Sequence, residues 1–490
     1  MKKRYKPRTA LVAVAAVLAS LCATAPAQAA ADPGLDLSNF VQRPIGNKAA
    51  LQARVASLNA DLPNVGLNSI LKEANSGNAN VGQWNNTVCN DGATAGTSTP
   101  KNFGRSFCFD PDDNGQPNSE WWPQGLTSVA DADQDQTWGD AEPGWNPAEH
   151  RPFIATWYNR DDWTDDNSTT PTDTDEGGTN TERKGVRISV IDSSTGKYAH
   201  ILLVYPFTNA SGNTTYMSVR NSQHYDNGGR KYSSLHAGGI VWYGNYLYVA
   251  DTSRGFRVFD LRNIVDLGAL PEDERGLTKT AIGRQDGKYY SHGYRYILPQ
   301  SDGWTNTACD TNEPPPGTPC DIYDPKKNCT ATDTAPTTSW ASLDRSAARR
   351  HIVTGEYCNR NDVTSALTTG RVIRWPMNTD GGTPATDSNG NWAATAAHRV
   401  PYDTAYDDNG SIQGGAVIDG TYYLSQSRGS TNNGHLIIAR PGSDGRLVET
   451  TARREMAIGI EDLTVWPGSP NRLWTLTEYP GKRMMFSVTP

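Results

Sequence analysis

The sequence predicts an all-β protein, a β-propeller of five four-stranded blades with a short, partly helical N-terminal segment. Three observations predict it. The chain is rich in Gly, Asn, Asp, Thr and Trp and poor in helix-forming runs, a balance that favours strands joined by polar loops. Short β-branched and aromatic runs bounded by Gly, Asp and Asn recur across residues 121–490, as strands do. Those runs also align as a repeat, and four strands per repeat in a closing array is the propeller pattern. A β-sandwich has short strands too, but it does not explain the aligned openings of the repeats.

Residues 1–29 read as an export signal, because Lys2, Lys3, Arg4, Lys6 and Arg8 precede the apolar run ALVAVAAVLASLCA and the small-residue site AQA. That run is too short to cross about 30 Å of hydrocarbon. The expectation is therefore a secreted, extracellular protein, monomeric and with no membrane insertion after cleavage. Losing the five basic residues of the signal leaves 40 basic against 53 acidic side chains, a net charge of −13, which argues against nucleic acid as a partner.

Residues 30–120 form a helical and connecting segment. Leu51, Val55 and Leu58 fall at helical spacing within residues 47–62, and LNSILKEAN offers a second short helix. Six cysteines remain after the signal, and an even number in an exported chain argues for disulfides. Short loops favour Cys89 with Cys108 and Cys309 with Cys320, which leaves Cys329 for Cys358.

The propeller domain, residues 121–490, opens its repeats with PQGLTSVAD, HAGGIVWYG, SWASLDRS, QGGAVIDG and IEDLTVWPG. Second runs (FIATWYNR, YLYVADTSRG, HIVTGEYCNR, TYYLSQSRG, RLWTLTEYPGKR) and third runs (GVRISVID, FRVFDL, GRVIRWPM, HLIIARP, MMFSV) follow each opening. Fourth runs follow four of the five. The chain stops after the third strand of the last blade, whose fourth strand is either missing or donated by the N-terminal segment, a donation that would remove exposed edges.

In a propeller the first strand of each blade lines the axis, and its start shares a face with the hairpin between strands two and three. The strand starts supply Gln124, His236, Gln413, Glu461 and Asp462. The hairpins supply Arg160, Arg254, Arg360, Arg428 and Arg483, one basic residue per blade. Guanidinium forks match carboxylate, sulfate or phosphate, so the five arginines could form a ligand ring; Asp251, Glu356 and Glu478 in the same hairpins could equally tie them down as ion pairs. The primary expectation is a ligand-binding propeller recognising carbohydrate, another extracellular polymer or a small ligand through this face.

The alternative is an extracellular glycoside hydrolase or lyase using channel carboxylates. Glu461 and Asp462 are adjacent, so on a regular strand only one faces the channel, and the partner would be Glu356, Glu478 or Asp344. His236 is a further candidate, either a base or a hydrogen-bonding plug. A structural or protein-interaction module is the third reading. Neither GxSxG nor HExxH occurs. Asp131, Asp133, Asp135 and Glu142 fall at positions 1, 3, 5 and 12 of a calcium loop, although Gln136 replaces the turn glycine.

The runs WWPQGLTS, KGVRISVIDSSTGKY, HAGGIVWYGNYLYVAD, SWASLDRS and GRVIRWPM resemble a group of secreted, propeller-like actinobacterial proteins, over roughly residues 121–490. The resemblance implies secretion and a propeller, and assigns no catalytic residue. The five-bladed architecture is also similar to that of several glycoside hydrolase families and some lectins, which is a likeness of fold and not of function.

Overall fold

A computed structural model describes residues 35–490 except 78–79, 90–97, 115–119, 142, 160–183, 210, 220–223, 227–228, 232–234, 253, 307–328, 330–334, 348 and 380. The signal segment, Glu142, Arg160, Cys309 and Cys320 lie outside the described residues.

Blade 1 consists of Trp121–Ser128, Pro152–Asn159, Val186–Asp192 and Lys197–Thr208, paired antiparallel in that order. Blade 2 uses Ile240–Tyr243, Tyr246–Asp251, Gly255–Asp260 and Tyr296–Asn306. Blade 3 uses Trp340–Asp344, His351–Gly355, Arg371–Pro376 and Ala396–Arg399. Blade 4 follows with Ile412–Ile418, Thr421–Gln426 and Asn433–Pro441, whose outer edge pairs with both Leu447–Glu449 and Arg454–Ile458. Blade 5 takes three strands from the C-terminus, Ile460–Trp466, Arg472–Thr477 and Met484–Val488. Its fourth strand is Phe103–Cys108, so of the two alternatives the strand is donated by the N-terminal segment and covers the edge.

The five first strands neighbour one another in order round a closed ring, with blade 5 meeting blade 1. Side-chain alternation explains why each blade can pack on both sides. Ile240 and Trp242 enter the apolar layer shared with blade 1, whereas Val241 and Tyr243 enter the layer shared with blade 3. Three more layers, between blades 3 and 4, 4 and 5, and 5 and 1, complete the ring. Full burial of a side chain such as Leu247 is worth roughly 1.5–3 kcal/mol. Near the axis even a methyl group does not fit: a Cβ at Gly239 would lie 2.0 Å from the Ala341 nitrogen, and one at Gly414 would lie 2.5 Å from the Asp462 Cα.

Helices α1 (Lys48–Asp61) and α2 (Leu67–Ser76) pack outside the outer strands of blades 1 and 2, with Leu51, Val55 and Leu58 buried as their spacing predicts. Strand Val41–Pro44 pairs with the outer strand of blade 2 and with Trp392–Ala393 beside blade 3. Among the described cysteines, Cys89 pairs with Cys108 and Cys329 with Cys358. Among the described residues no helix is long and apolar enough to cross a membrane.

Candidate active site at the channel mouth

Three first strands depart from regular pairing at one level of the channel. The register shifts between Pro123 and Leu126 in blade 1, between Ile412 and Gly414 in blade 4, and between Ile460 and Leu463 in blade 5. A bulge of this kind re-aims side chains that strict alternation would separate. Here it brings Gln124, Gln413 and Glu461 toward the axis, and it corrects the expectation that only one of Glu461 and Asp462 can reach the channel. Both do, at different depths.

The side chains of Glu461 and Glu478 lie within hydrogen-bonding reach of each other. Gln413 Nε2 donates to Glu461 Oε1 at 3.2 Å, and Gln124 Nε2 donates to Glu478 Oε2 at 3.0 Å. The Tyr479 side chain also hydrogen-bonds Glu478. Burial, then the nearby charges of Glu478 and Asp462, push the Glu461 carboxyl well above the usual range. Burial raises Glu478 too, but hydrogen bonds from Tyr479 and Gln124 and the Arg483 charge work in the other direction. Both carboxyls are therefore biased toward holding a proton, Glu461 the more strongly. With 8% exposure against 1%, Glu478 is the more open member of the pair.

Aromatic rings wall this mouth. Trp122 lies 5.7 Å from Tyr479 and 6.4 Å from Tyr158, and Tyr158 meets the His236 ring edge-on at 4.7 Å. Burial pushes His236 down to about 4, so at neutral pH its ring is uncharged.

Deeper in the channel, Asp462 Oδ2 accepts the backbone N–H of Leu126 at 3.2 Å and of Ile240 at 3.4 Å, tying blade 5 to blades 1 and 2. Burial raises its carboxyl well above the ordinary range against the pull of those bonds. Beyond it, Asp131 accepts the hydroxyls of Thr127 at 2.9 Å and Thr464 at 2.7 Å, and burial pushes it up to about 6.

The remaining candidates fall elsewhere. Glu356 is held bidentately by Arg371, Nε and Nη2 both at 2.7 Å, and accepts backbone N–H groups of Thr337 and Arg371, so its oxygens are committed to structure. Asp344 is paired with Arg374. The described arginines do not form a ring. Arg254 is buried in its turn, while Arg483 is fully buried behind the carboxyl pair, donating to the Glu478 carbonyl at 2.8 Å. Burial brings the Arg483 guanidinium down to about 9. Arg360 and Arg428 share a separate cavity of about 570 Å³ with Tyr406 and His435, and Arg428 is ion-paired with Asp408. Equivalent hairpin positions thus carry different surroundings, because the hairpins differ in length and contacts.

Of the acidic loop's four carboxylates, Asp131 and Asp135 have different surroundings and Glu142 lies outside the described residues. Asp131 points into the buried base of the channel, while Asp135 Oδ1 is taken by the Thr137 N–H and hydroxyl at 2.8 and 2.7 Å in an exposed loop. Among the described residues no group of three or more His, Cys, Asp or Glu is placed to hold a metal ion.

Trp122, Tyr158 and Tyr479 were missed as functional residues by sequence reasoning. Their signal was present in the aromatic residues flanking the strand starts and hairpins, WWPQ, TWYNR and TEYPG.

Fold and site together define a five-bladed β-propeller whose mouth holds a proton-sharing carboxyl pair. No protein-family model matches the chain, and no curated protein matches it. Among solved structures it is similar to CoXyl43, a GH43 β-xylosidase/α-arabinofuranosidase from a compost microbial metagenome, at 10% identity over 75% of this chain and 91% of that one, with a TM-score of 0.29. It is similar also to a GH43_1 enzyme from Xanthomonas citri, at 9% identity over 75% and 87%, TM-score 0.30. A third likeness is to RS223-β-xylosidase, at 10% identity over 78% and 94%, TM-score 0.29. At these scores the likenesses carry no argument about activity.

Proposed function

We propose that the protein is a secreted carbohydrate-active enzyme, a glycoside hydrolase or lyase, with Glu461 and Glu478 as its acid–base unit. The carrying observation is the buried, hydrogen-bonded carboxyl pair at an aromatic-walled mouth. A carboxyl held protonated at neutral pH is costly in a fold and useful in proton transfer, which is why such groups concentrate at sites of acid–base chemistry. The half-buried Tyr479 offers its ring to a sugar, backed by the buried Trp122 and Tyr158, and the half-buried Gln413 offers its amide to a hydroxyl. Two disulfides fit an oxidising compartment.

Carboxyls in hydrogen-bond contact are closer than the roughly 5–9.5 Å of two-carboxylate glycosidases. The pair therefore acts first as one unit. A saccharide oxygen that takes the place of Glu478 accepts the Glu461 proton as its bond to the sugar carbon breaks, while the freed Glu478 carboxylate takes a proton either from the water that adds to that carbon, giving hydrolysis, or from the neighbouring carbon as a C=C bond forms, giving elimination. The same contact favours a second reading, pure carbohydrate binding, in which the pair never parts.

Turnover of a polysaccharide panel, read as new reducing ends for hydrolysis or as unsaturated product for elimination, separates the two. The enzyme reading expects Glu461→Gln to lower kcat by about 10²-fold or more while binding measured by calorimetry persists. Saturable binding without turnover by the native chain, abolished in Trp122→Ala, would establish the binding reading instead.

A further inference from the structure

A second polar cavity, of about 750 Å³, lies against blade 1, lined by Trp121 and Arg187 of its first and third strands and bounded by α2, the outer strand Lys197–Thr208 and the segment from Lys279 to Tyr296. This volume is within the roughly 300–1,000 Å³ of small-molecule sites. We infer that it binds a neutral, hydroxyl-rich ligand, independently of the channel mouth.

The floor is built and rigid. Buried Asp113 accepts from Arg187 Nη2 at 2.5 Å and from the Tyr198 hydroxyl at 2.5 Å, and its Oδ2 lies 3.1 Å from His200 Nε2. Arg187 Nη1 donates to the Tyr294 hydroxyl at 3.2 Å. Behind His200, Ser189 Oγ accepts from Trp157 Nε1 at 2.8 Å and lies 2.9 Å from His200 Nδ1. The serine–histidine–aspartate series is formed, yet Ser189 is fully buried, so it orients His200 and does not attack a substrate.

The ligand class follows from how the charges are matched. Lys184 is bound to Glu120 at 2.6 Å, and Arg295 pairs with Asp266 at 2.7 Å and with Glu73. Arg187 and Asp113 neutralise one another on the floor. At the rim, the exposed Lys279 and Asp112 have opposite signs. An ionic ligand would have to break one of these pairs, and buried pairs resist losing a partner. Hydroxyls can donate to the carboxylates and accept from the cations without disturbing either. The half-buried Tyr294 ring, edge-on to Trp121 at 6.0 Å, adds an apolar wall suited to the face of a sugar or similar polyol.

Calorimetric titration of the whole chain with a ladder of neutral oligosaccharides, alongside sulfated and amine-bearing counterparts, tests this. The expected native stoichiometry is two, falling to one in Tyr294→Ala and to one in Trp122→Ala, with Lys279→Ala weakening the lateral site several-fold. Lys279 is exposed, so that variant carries no folding risk. A single native site, lost in Trp122→Ala and untouched by both Tyr294→Ala and Lys279→Ala, overturns the inference. So does tenfold tighter lateral binding of either charged counterpart. A single site lost in Tyr294→Ala but kept in Trp122→Ala supports the lateral pocket and counts against the mouth.

Discussion

Glu461, Glu478 and Glu356 are all buried glutamates near the same face, and their partners give them three different chemistries. Arg371 holds Glu356 in place through two hydrogen bonds, so Glu356→Ala strands a buried guanidinium. The expected cost is about 3–5 kcal/mol, read as a lower urea midpoint. Asp131 makes a pH prediction. Its folded value of about 6 exceeds the ordinary 3.8, so the folded state binds its proton more tightly. Its contribution to stability is full below about 3.8 and lost as pH rises through about 6. Glu461 and Asp462, also raised, act in the same direction. Asp113 has the opposite sign: burial opposes ionisation, but Arg187 and His200 hold it far below its ordinary value, and its contribution is lost in acid. The unfolding free energy of the native chain, taken relative to that of Asp131→Asn, should therefore fall as pH rises from 4 to 7.

Bulged first strands are the element that makes the site. They rotate Gln124, Gln413 and Glu461 toward one another and allow Asp462 to strap three blades. Close approach of the strands depends on missing side chains. In Gly239→Ala the new methyl meets blade 3 backbone, and overpacking of this kind typically costs about 1–3 kcal/mol, visible as a lower Tm. The strand Phe103–Cys108 has a different task, covering the edge of Met484–Val488. A chain shortened to begin after Cys108 should expose that edge and self-associate with concentration in sedimentation velocity, whereas a chain that stayed monomeric and fully folded would deny the strand its closing role.

Across the whole molecule, the repeat was legible because each blade must bury both faces, which writes period-two apolar runs between turn residues. The donated strand was legible as an alternative, since the last repeat lacked a fourth run. Gln124, Gln413, Glu461 and Glu478 were nameable from their places in the repeat. Their union was not, because a bulge leaves no clear mark in sequence, and strict alternation predicted that Glu461 and Asp462 would part. The arginines were legible only in part, Arg360 and Arg428 sharing a cavity while Arg254 and Arg483 are buried, because a repeat equates positions, while burial and ion pairing differ from hairpin to hairpin. In the molecule as a whole, a closed ring of blades holds one shared proton at its mouth. Carboxyl-carbon NMR of glutamate-labelled protein, titrated from acid to neutral pH in native and Glu461→Gln chains, reads that proton directly. A glutamate carboxyl should titrate well above the ordinary 4.5 in the native chain and be absent from the variant; native glutamates that all titrate within about a unit of that ordinary value would rule the shared proton out.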